Sequence, residues 1–215
     1  MTGRAAHRTI TVVSAGLGQP SATRLLADRL AAATVTDLAS RGLDASVETF
    51  ELRDVAHEII NTMLTGFPSG DLRAVLESVT GADGLVTVTP LFTTTYSGLF
   101  KSFVDILDPD SLAGMPVLLG ATGGTPRHSL ALEYSMRPLF TYLHADVAPT
   151  SVFAATDDWS GRSDDLDPLS ARITRGAHDL ADLVARGQRT RPADPYDATP
   201  SFADLIGPGG TSAPR

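Results

Sequence analysis

The sequence predicts an α/β fold: one doubly wound parallel sheet of five strands in the order 2-1-3-4-5, with helices on both faces. Three observations predict it. Short apolar runs alternate with longer segments whose apolar residues recur at helical period, a rhythm that requires crossover connections and parallel pairing. The runs at residues 9–13, 84–88 and 115–121 are largely apolar rather than alternating, as in strands buried on both faces. Each of these runs opens at its C-terminal end into loop-forming residues, and that edge is where open α/β sheets bind ligands.

Taken in order, residues 1–8 read as a loose start. Thr9-Ile10-Thr11-Val12-Val13 is β-branched and apolar, a first buried strand. It breaks into a Ser- and Gly-rich loop, Ser14 to Arg24, in which Ser21 is placed to cap the next helix. Leu26, Leu30 and Ala33 mark one face of that helix, which runs to about Arg41 and is closed by Gly42. Ala45 to Phe50 alternates and reads as the second strand. Leu52, Val55, Ile59, Ile60 and Leu64 suggest a short helix, interrupted around Gly66 to Gly70. Leu72, Val75, Leu76 and Val79 resume helical spacing up to Gly81, and His57 is assigned to an exposed or boundary position.

Gly84 to Val88 is the third strand, and Pro90, which lacks an N–H for the ladder, is expected to end it. A polar threonine loop follows. Leu99, Phe103, Ile106 and Leu107 then recur at helical spacing, with Ser97 or Ser102 near the helix start and Asp108-Pro109-Asp110 at its end. Met115 to Ala121 is the fourth strand, opening into Thr122 to His128, and Pro138 is expected to bend or interrupt the helix beyond. Residues 145–154 supply the fifth strand, partly broken by Pro149, and residues 157–167 are polar and loop-like. Leu169, Ile173, Leu180, Leu183 and Val184 form a last amphipathic helix ending at Gly187. One domain therefore spans residues 1–188, and residues 189–215, rich in Pro, Gly, Asp and Thr, read as an extended tail. Within the tail, Phe202-Ala203-Asp204-Leu205-Ile206 is apolar enough to dock on a neighbouring subunit.

Composition removes several classes of function. The chain has no cysteine, which excludes disulfides, thiolate chemistry and Cys-ligated metal sites. Its five histidines are scattered without metal-ligand spacing. The net charge is −8 and no basic stripe is present, so nucleic acid is not expected as a partner. No stretch reaches the roughly 18–20 apolar residues of a membrane span. Nothing resembles a signal peptide, and a cytoplasmic protein is expected. No G-x-S-x-G elbow is present, and the serines have no evident His–Asp partner.

The chemistry is concentrated in three loops. The first, residues 14–24, can present a helix N-terminus, with its unpaired N–H groups and positive dipole end, to an anion. Ser14, Ser21 and Thr23 add hydroxyl donors, and Gln19 and Arg24 are further candidates. It is neither a dinucleotide fingerprint nor a Walker loop, because Gly16-Leu17-Gly18 lacks a third glycine in register and no Walker lysine follows. An ordinary N-cap by Ser21 explains the same residues about as well. The second loop, beginning Thr89-Pro90-Leu91-Phe92-Thr93, continues through Tyr96-Ser97-Gly98 to Lys101 and Asp105. The third is Ala121-Thr122-Gly123-Gly124-Thr125, with His128 following after Pro126 and Arg127. Adjacent glycines there suit close backbone approach to a flat ring.

The second loop resembles the isoalloxazine-binding loop of the NAD(P)H-dependent FMN reductase family, which commonly reads T-P-x-[YF]-x-x-x-[YF]-S-G-x-[LF]-K-x-x-[LIV]-D. Every fixed position is met between Thr89 and Asp105. The third loop, with Leu132, Tyr134, Arg137, Pro138 and Leu139 after it, is similar to the second flavin loop and following helix of the same reductases. The resemblance is closest over about residues 83–143. One departure lies in the first loop, where many members have Ser-x-Arg and this chain has Gly16-Leu17-Gly18-Gln19.

The resemblance implies a flavodoxin-like fold and an NAD(P)H:FMN oxidoreductase, with FMN as cofactor and NADPH or NADH as cosubstrate. It implies phosphate contacts from Ser14, Gln19, Ser21 and Thr23. Flavin-ring contacts would come from Pro90, Leu91, Phe92, Thr93, Tyr96 and Ser97, and pyrimidine-end contacts from Thr122, Gly123 and Gly124. Arg127, His128 and Tyr134 would lie on the nicotinamide side or at a subunit interface, Tyr134 on a π-bulged helix. Neither a metal nor a dedicated catalytic side chain is required, since the flavin carries the chemistry. A homodimer or homotetramer and a flavin-dependent monooxygenase receiving reduced FMN complete the implication. The loops do not name the terminal acceptor. A quinone or azo reductase with retained FMN uses the same residues, a flavodoxin-like electron carrier has the same fold, and a relative of the fold that binds no flavin is a further alternative.

Overall fold

The structure is a computed structural model, and residues 7–159 and 168–187 are described. A parallel sheet forms its middle. Strand β1 (His7–Ser14) lies second from one edge, with the edge strand β2 (Asp44–Glu51) on one side and β3 (Gly84–Phe92) on the other. Beyond β3 comes β5 (Pro116–Gly123), and outside it two short strands, β6 (Asp146–Val147) and β7 (Val152–Ala155), both parallel to β5. Taken together, β6 and β7 are the broken fifth strand expected around Pro149, and the order of the five is the doubly wound one. The edge strand β2 is exposed or half-buried along its whole length, with Ser46, Val47 and Glu48 exposed in a row, whereas β3 and β5 are buried almost end to end and β1 from Ile10 onward.

Helices α1 (Ala22–Ser40) and α7 (Leu169–Arg186) cover one face. Leu26, Leu30 and Leu38 of α1 and Ile173, Leu180 and Val184 of α7 pack there with Ile10, Val86 and Leu118. The other face carries α2 (Ala56–Thr65), α3 (Asp71–Gly81), α4 (Gly98–Asp105) and α5 (Arg137–Tyr142), which bury Ile59, Leu72, Val75, Phe100, Phe103 and Phe140. Helix ends follow local chemistry. Ser21 accepts from the Arg24 N–H, Ser97 accepts from the Phe100 N–H, and Gly66 and Gly187 take the left-handed conformation after α2 and α7. Ser97, rather than Ser102, is thus the cap of α4. Leu52–Val55 is a 3₁₀ turn ahead of α2, and Leu64, placed by spacing on the apolar face of that helix, is 81% exposed. His57 is exposed, as its position suggested.

Two expectations are corrected. Pro90 does not end β3; the strand continues to Phe92 and Pro90 stands in register with Thr122. Val88 gives its carbonyl to the Ala15 N–H. Two residues on, Pro90 turns its ring nitrogen to the same side, beyond the end of β1, where the missing donor costs no ladder bond. The threonine loop is also shorter than it reads. Leu91 and Phe92 pair antiparallel with Tyr96 and Thr95, so Thr95–Tyr96 is a small strand, β4, and only Thr93 and Thr94 form the tip.

Residues 156–159, near the start of the segment read as loop-like, form a helical turn, α6 (Thr156–Trp159). Trp159 packs on the α1–α7 layer, with the Arg29 guanidinium 5.1 Å from the centre of its ring. The tail at 189–215 and its Phe202–Ile206 patch lie outside the described residues.

Candidate active site

Three loops leave the C-terminal ends of β1, β3 and β5 side by side, because those strands are neighbours in the parallel sheet. Loop 15–21 enters α1. A Cβ at its Gly16 would stand 2.1 Å from Ser21 Oγ and would displace the hydroxyl that caps α1. Among the described residues, no backbone carbonyl accepts from the N–H groups of Gly16, Leu17, Gly18, Gln19, Ser21, Ala22 or Thr23. The first turn of α1 carries no acidic side chain. Unpaired N–H groups at the positive end of a helix of 19 residues form a site for an anion.

The structure places the residues singled out for the phosphate differently from one another. Gln19 is exposed on the loop, and Ser21 is the half-buried N-cap, so its hydroxyl already accepts from Arg24 N–H at 3.2 Å. Thr23 is buried and its Oγ1 lies 2.8 Å from Thr122 Oγ1, which joins the first loop to the third. Ser14 is fully buried at the end of β1, and its hydroxyl has no hydrogen-bond partner among the described residues. Arg24 is committed to Asp28 at 2.8 Å and Glu51 at 3.2 Å. The bond to Asp28 and the charge of Glu51 hold its guanidinium above its ordinary pKa.

The second loop is the β3–β4 hairpin. Thr93 and Thr94 both have positive φ, at 50° and 75°, an uncommon conformation for β-branched residues and one that marks candidate sites. Phe92, beside them, is 47% exposed. Leu91 and Tyr96 are half-buried against the core, and Tyr96 packs on Phe100 with ring centres 6.1 Å apart. The base of the hairpin is fastened by Thr89, whose hydroxyl accepts from Ser97 N–H at 3.1 Å.

In the third loop the two glycines have different reasons. A Cβ on Gly123 would meet the Phe153 ring at 2.9 Å, so internal packing demands that glycine. Gly124 has open space around it and is exposed, and it is the glycine that leaves the backbone approachable. Thr122 is buried and committed to Thr23. Arg127 and His128 sit on a 3₁₀ turn, Pro126–His128, Arg127 exposed and His128 half-buried. Beyond it Leu132–Met136 is a π-helical turn centred on Tyr134, which is 78% exposed. Arg137 N–H reaches back to the Leu132 carbonyl, and Pro138, which has no N–H, follows at once, a change of pitch where the proline was expected to disturb the helix. The exposure of Tyr134 rules out a core role.

Sequence reasoning missed Arg53 and Glu51. Arg53 Nη1 donates to the Gly18 carbonyl at 2.6 Å, and its Nη2 stands 2.8 Å from Glu51 Oε2. No local pattern announces this contact, because it joins the end of β2 to the first loop. Among the described residues there is no cluster of His, Cys, Asp or Glu able to hold a metal, and no helix is long and apolar enough to cross a membrane.

A doubly wound sheet with an anion cradle, a strained hairpin and an open glycine along one edge defines a flavodoxin-like, mononucleotide-binding α/β protein. A family model for the NADPH-dependent FMN reductases matches residues 8–160, and the chain belongs to that family. The FMN reductase (NADPH) of Pseudomonas aeruginosa is 34% identical over 174 residues, 81% of this chain and 91% of that one. The NADH-dependent FMN reductase SfnF of Pseudomonas fluorescens is 32% identical over 174 residues, 81% of this chain and 90% of that one. Among solved structures, an oxidoreductase from Corynebacterium diphtheriae superposes with a TM-score of 0.79 at 41% identity, covering 85% of this chain and 99% of that one. The chain is an NAD(P)H:FMN oxidoreductase, with FMN as cofactor and NAD(P)H as cosubstrate.

Proposed function

We propose that this reductase supplies reduced FMN to a separate flavin-dependent monooxygenase. The observation that carries this reading is how open the cradle is. Leu17, Gly18, Gln19 and Pro20 at one end, Phe92, Thr93 and Thr94 at the hairpin tip, and Gly124 are all exposed, which suits a flavin that enters and leaves. Among the relatives, SfnF and SfnE are named as NADH-dependent FMN reductases.

FMN, when bound, supplies hydride acceptance from NAD(P)H. The chain's residues bind and orient. The free N–H groups of residues 16–19 and 21–23 hold the phosphate, with Gln19 and the hydroxyls of Ser21 and Thr23 beside them. Pro90, Leu91, Phe92, Thr93, Tyr96 and Ser97 shape the side of the site that receives the ring. Gly124, whose N–H no backbone carbonyl among the described residues accepts, offers a donor to negative charge developing at the pyrimidine end. Arg127 and His128 lie beyond it on the side left for the nicotinamide nucleotide.

Assembly into a homodimer or homotetramer is part of the same proposal. Leu64 and Phe67 are 81% and 79% exposed, and their chain neighbours Met63 and Gly66 line, with Tyr142, a groove of about 690 Å³ between α2, α4 and α5. Tyr134 is exposed on the π turn nearer the site.

The test is steady-state oxidation of NADPH and NADH with and without added FMN, followed anaerobically for reduced flavin in solution. Turnover that requires added FMN and releases reduced FMN is expected. Retained flavin with turnover only on a quinone or azo dye would replace this reading with that of a reductase with fixed FMN.

A further inference from the structure

We propose that Arg53, held by Glu51, is the positioning residue that gives this reductase its discrimination for the 5′-phosphorylated flavin; the proposal rests on the assignment of loop 15–21 to the phosphate. Arg53 stands on the 3₁₀ turn Leu52–Val55 that follows β2, outside the three loops. Its side chain is 17% exposed and Glu51's is 14% exposed, so both are largely withdrawn from solvent. Arg53 Nη2 lies 2.8 Å from Glu51 Oε2, and Arg24 Nη1 lies 3.2 Å from Glu51 Oε1. One carboxylate therefore pairs with two guanidinium groups, and with Asp28 2.8 Å from Arg24 the cluster carries no net positive charge, so Arg53 acts on the loop through orientation. Asp54 is 3.6 Å from Arg53 Nε, too far for a hydrogen bond.

The decisive contact is Arg53 Nη1 to the Gly18 carbonyl, 2.6 Å. In a trans peptide the C=O and the following N–H point in opposite directions. Among the described residues the only cis peptide is Gln19–Pro20, so the Gly18–Gln19 peptide is trans. With the Gly18 oxygen drawn to Arg53, the Gln19 N–H is presented on the opposite side of the loop. Arg53 thus keeps a carbonyl, the group an anion repels, turned out of the cradle, and keeps a donor turned away from itself.

The test compares equilibrium binding of FMN and riboflavin, read by flavin fluorescence, in the wild type, Arg53→Ala and Arg53→Lys, with thermal midpoints recorded for each. Riboflavin lacks only the phosphate, so loosening of the fold weakens both ligands, whereas loss of loop orientation weakens FMN alone. Arg53→Ala is expected to weaken FMN binding about tenfold or more with riboflavin unchanged, the range for a charge-assisted hydrogen bond. Arg53→Lys, which keeps the charge but cannot hold Gly18 and Glu51 in one fork, is expected to fall between. A wild-type preference for FMN that survives in Arg53→Ala overturns this proposal alone. A wild type without preference for FMN overturns the phosphate assignment, and the proposal with it.

Discussion

The hydroxyls of Thr23 and Thr122 meet at 2.8 Å although 99 residues separate them in the chain. Both side chains are buried, and the contact joins the helix that opens the anion cradle to the strand end that carries Gly124. Replacing either threonine by valine keeps the shape and leaves the other hydroxyl unpaired. Each single variant is expected to lose about 1–3 kcal/mol of unfolding free energy, and the double variant less than the sum. Urea denaturation of the four proteins measures the coupling, and strictly additive losses would remove the pair from the account.

The Ser97 hydroxyl caps α4, and the Ser97 N–H donates to the Thr89 hydroxyl at the hairpin base. Ser97→Ala should cost about 1 kcal/mol through the cap. Thr89→Val, which removes the acceptor, should raise the KM for FMN more than it changes kcat, because the hairpin loses its anchor while the hydride path is untouched. A kcat loss at constant KM would contradict this.

Glu133, beside Tyr134 on the π turn, accepts from Arg137 and Ser151. The bond from Arg137 holds its carboxyl below the ordinary value. A carboxyl with a depressed folded pKa contributes stability above its unfolded value and loses it as pH falls through the folded one. Between about pH 5 and pH 3 the wild type should therefore lose stability faster than Glu133→Gln. At neutral pH the difference should be at most about 1 kcal/mol, since the Glu133 side chain is 44% exposed. Parallel urea midpoints across that range would show that the ion pair contributes nothing.

The apolar face at Leu64 and Phe67 predicts assembly. A Leu64→Glu/Phe67→Glu variant should sediment as a smaller species than the wild type, since covering each side chain at an interface contributes about 1.5–3 kcal/mol. An unchanged sedimentation coefficient would place the subunit contact elsewhere.

The parts of this molecule that were legible in the sequence are those written in neighbouring residues. Buried strands, the caps at Ser21, Gly42 and Gly187, and the residues of all three loops follow from local pattern, and the proline at 138 marks where the helix changes pitch. What was not legible depends on register. Pro90 continues its strand because β1 stops beside it, a fact about another part of the chain. Thr93 and Thr94 form a two-residue hairpin tip without the glycine or asparagine that usually announces one. Gly123 is demanded by Phe153, 30 positions away in the numbering, and Ser14 is turned inward by the sheet around it. Arg53 meets Gly18 only once β2 has paired with β1.

Trp159 carries the last consequence. It is the single indole of the chain, and it closes the helical turn α6 that follows β7, at the same end of the sheet as the three loops. Indole emits where flavins absorb, so a flavin seated along that edge drains its emission by resonance transfer. The protein therefore contains its own optical gauge: occupancy can be titrated without a label, in the wild type and in every variant that leaves Arg29 and Trp159 in place.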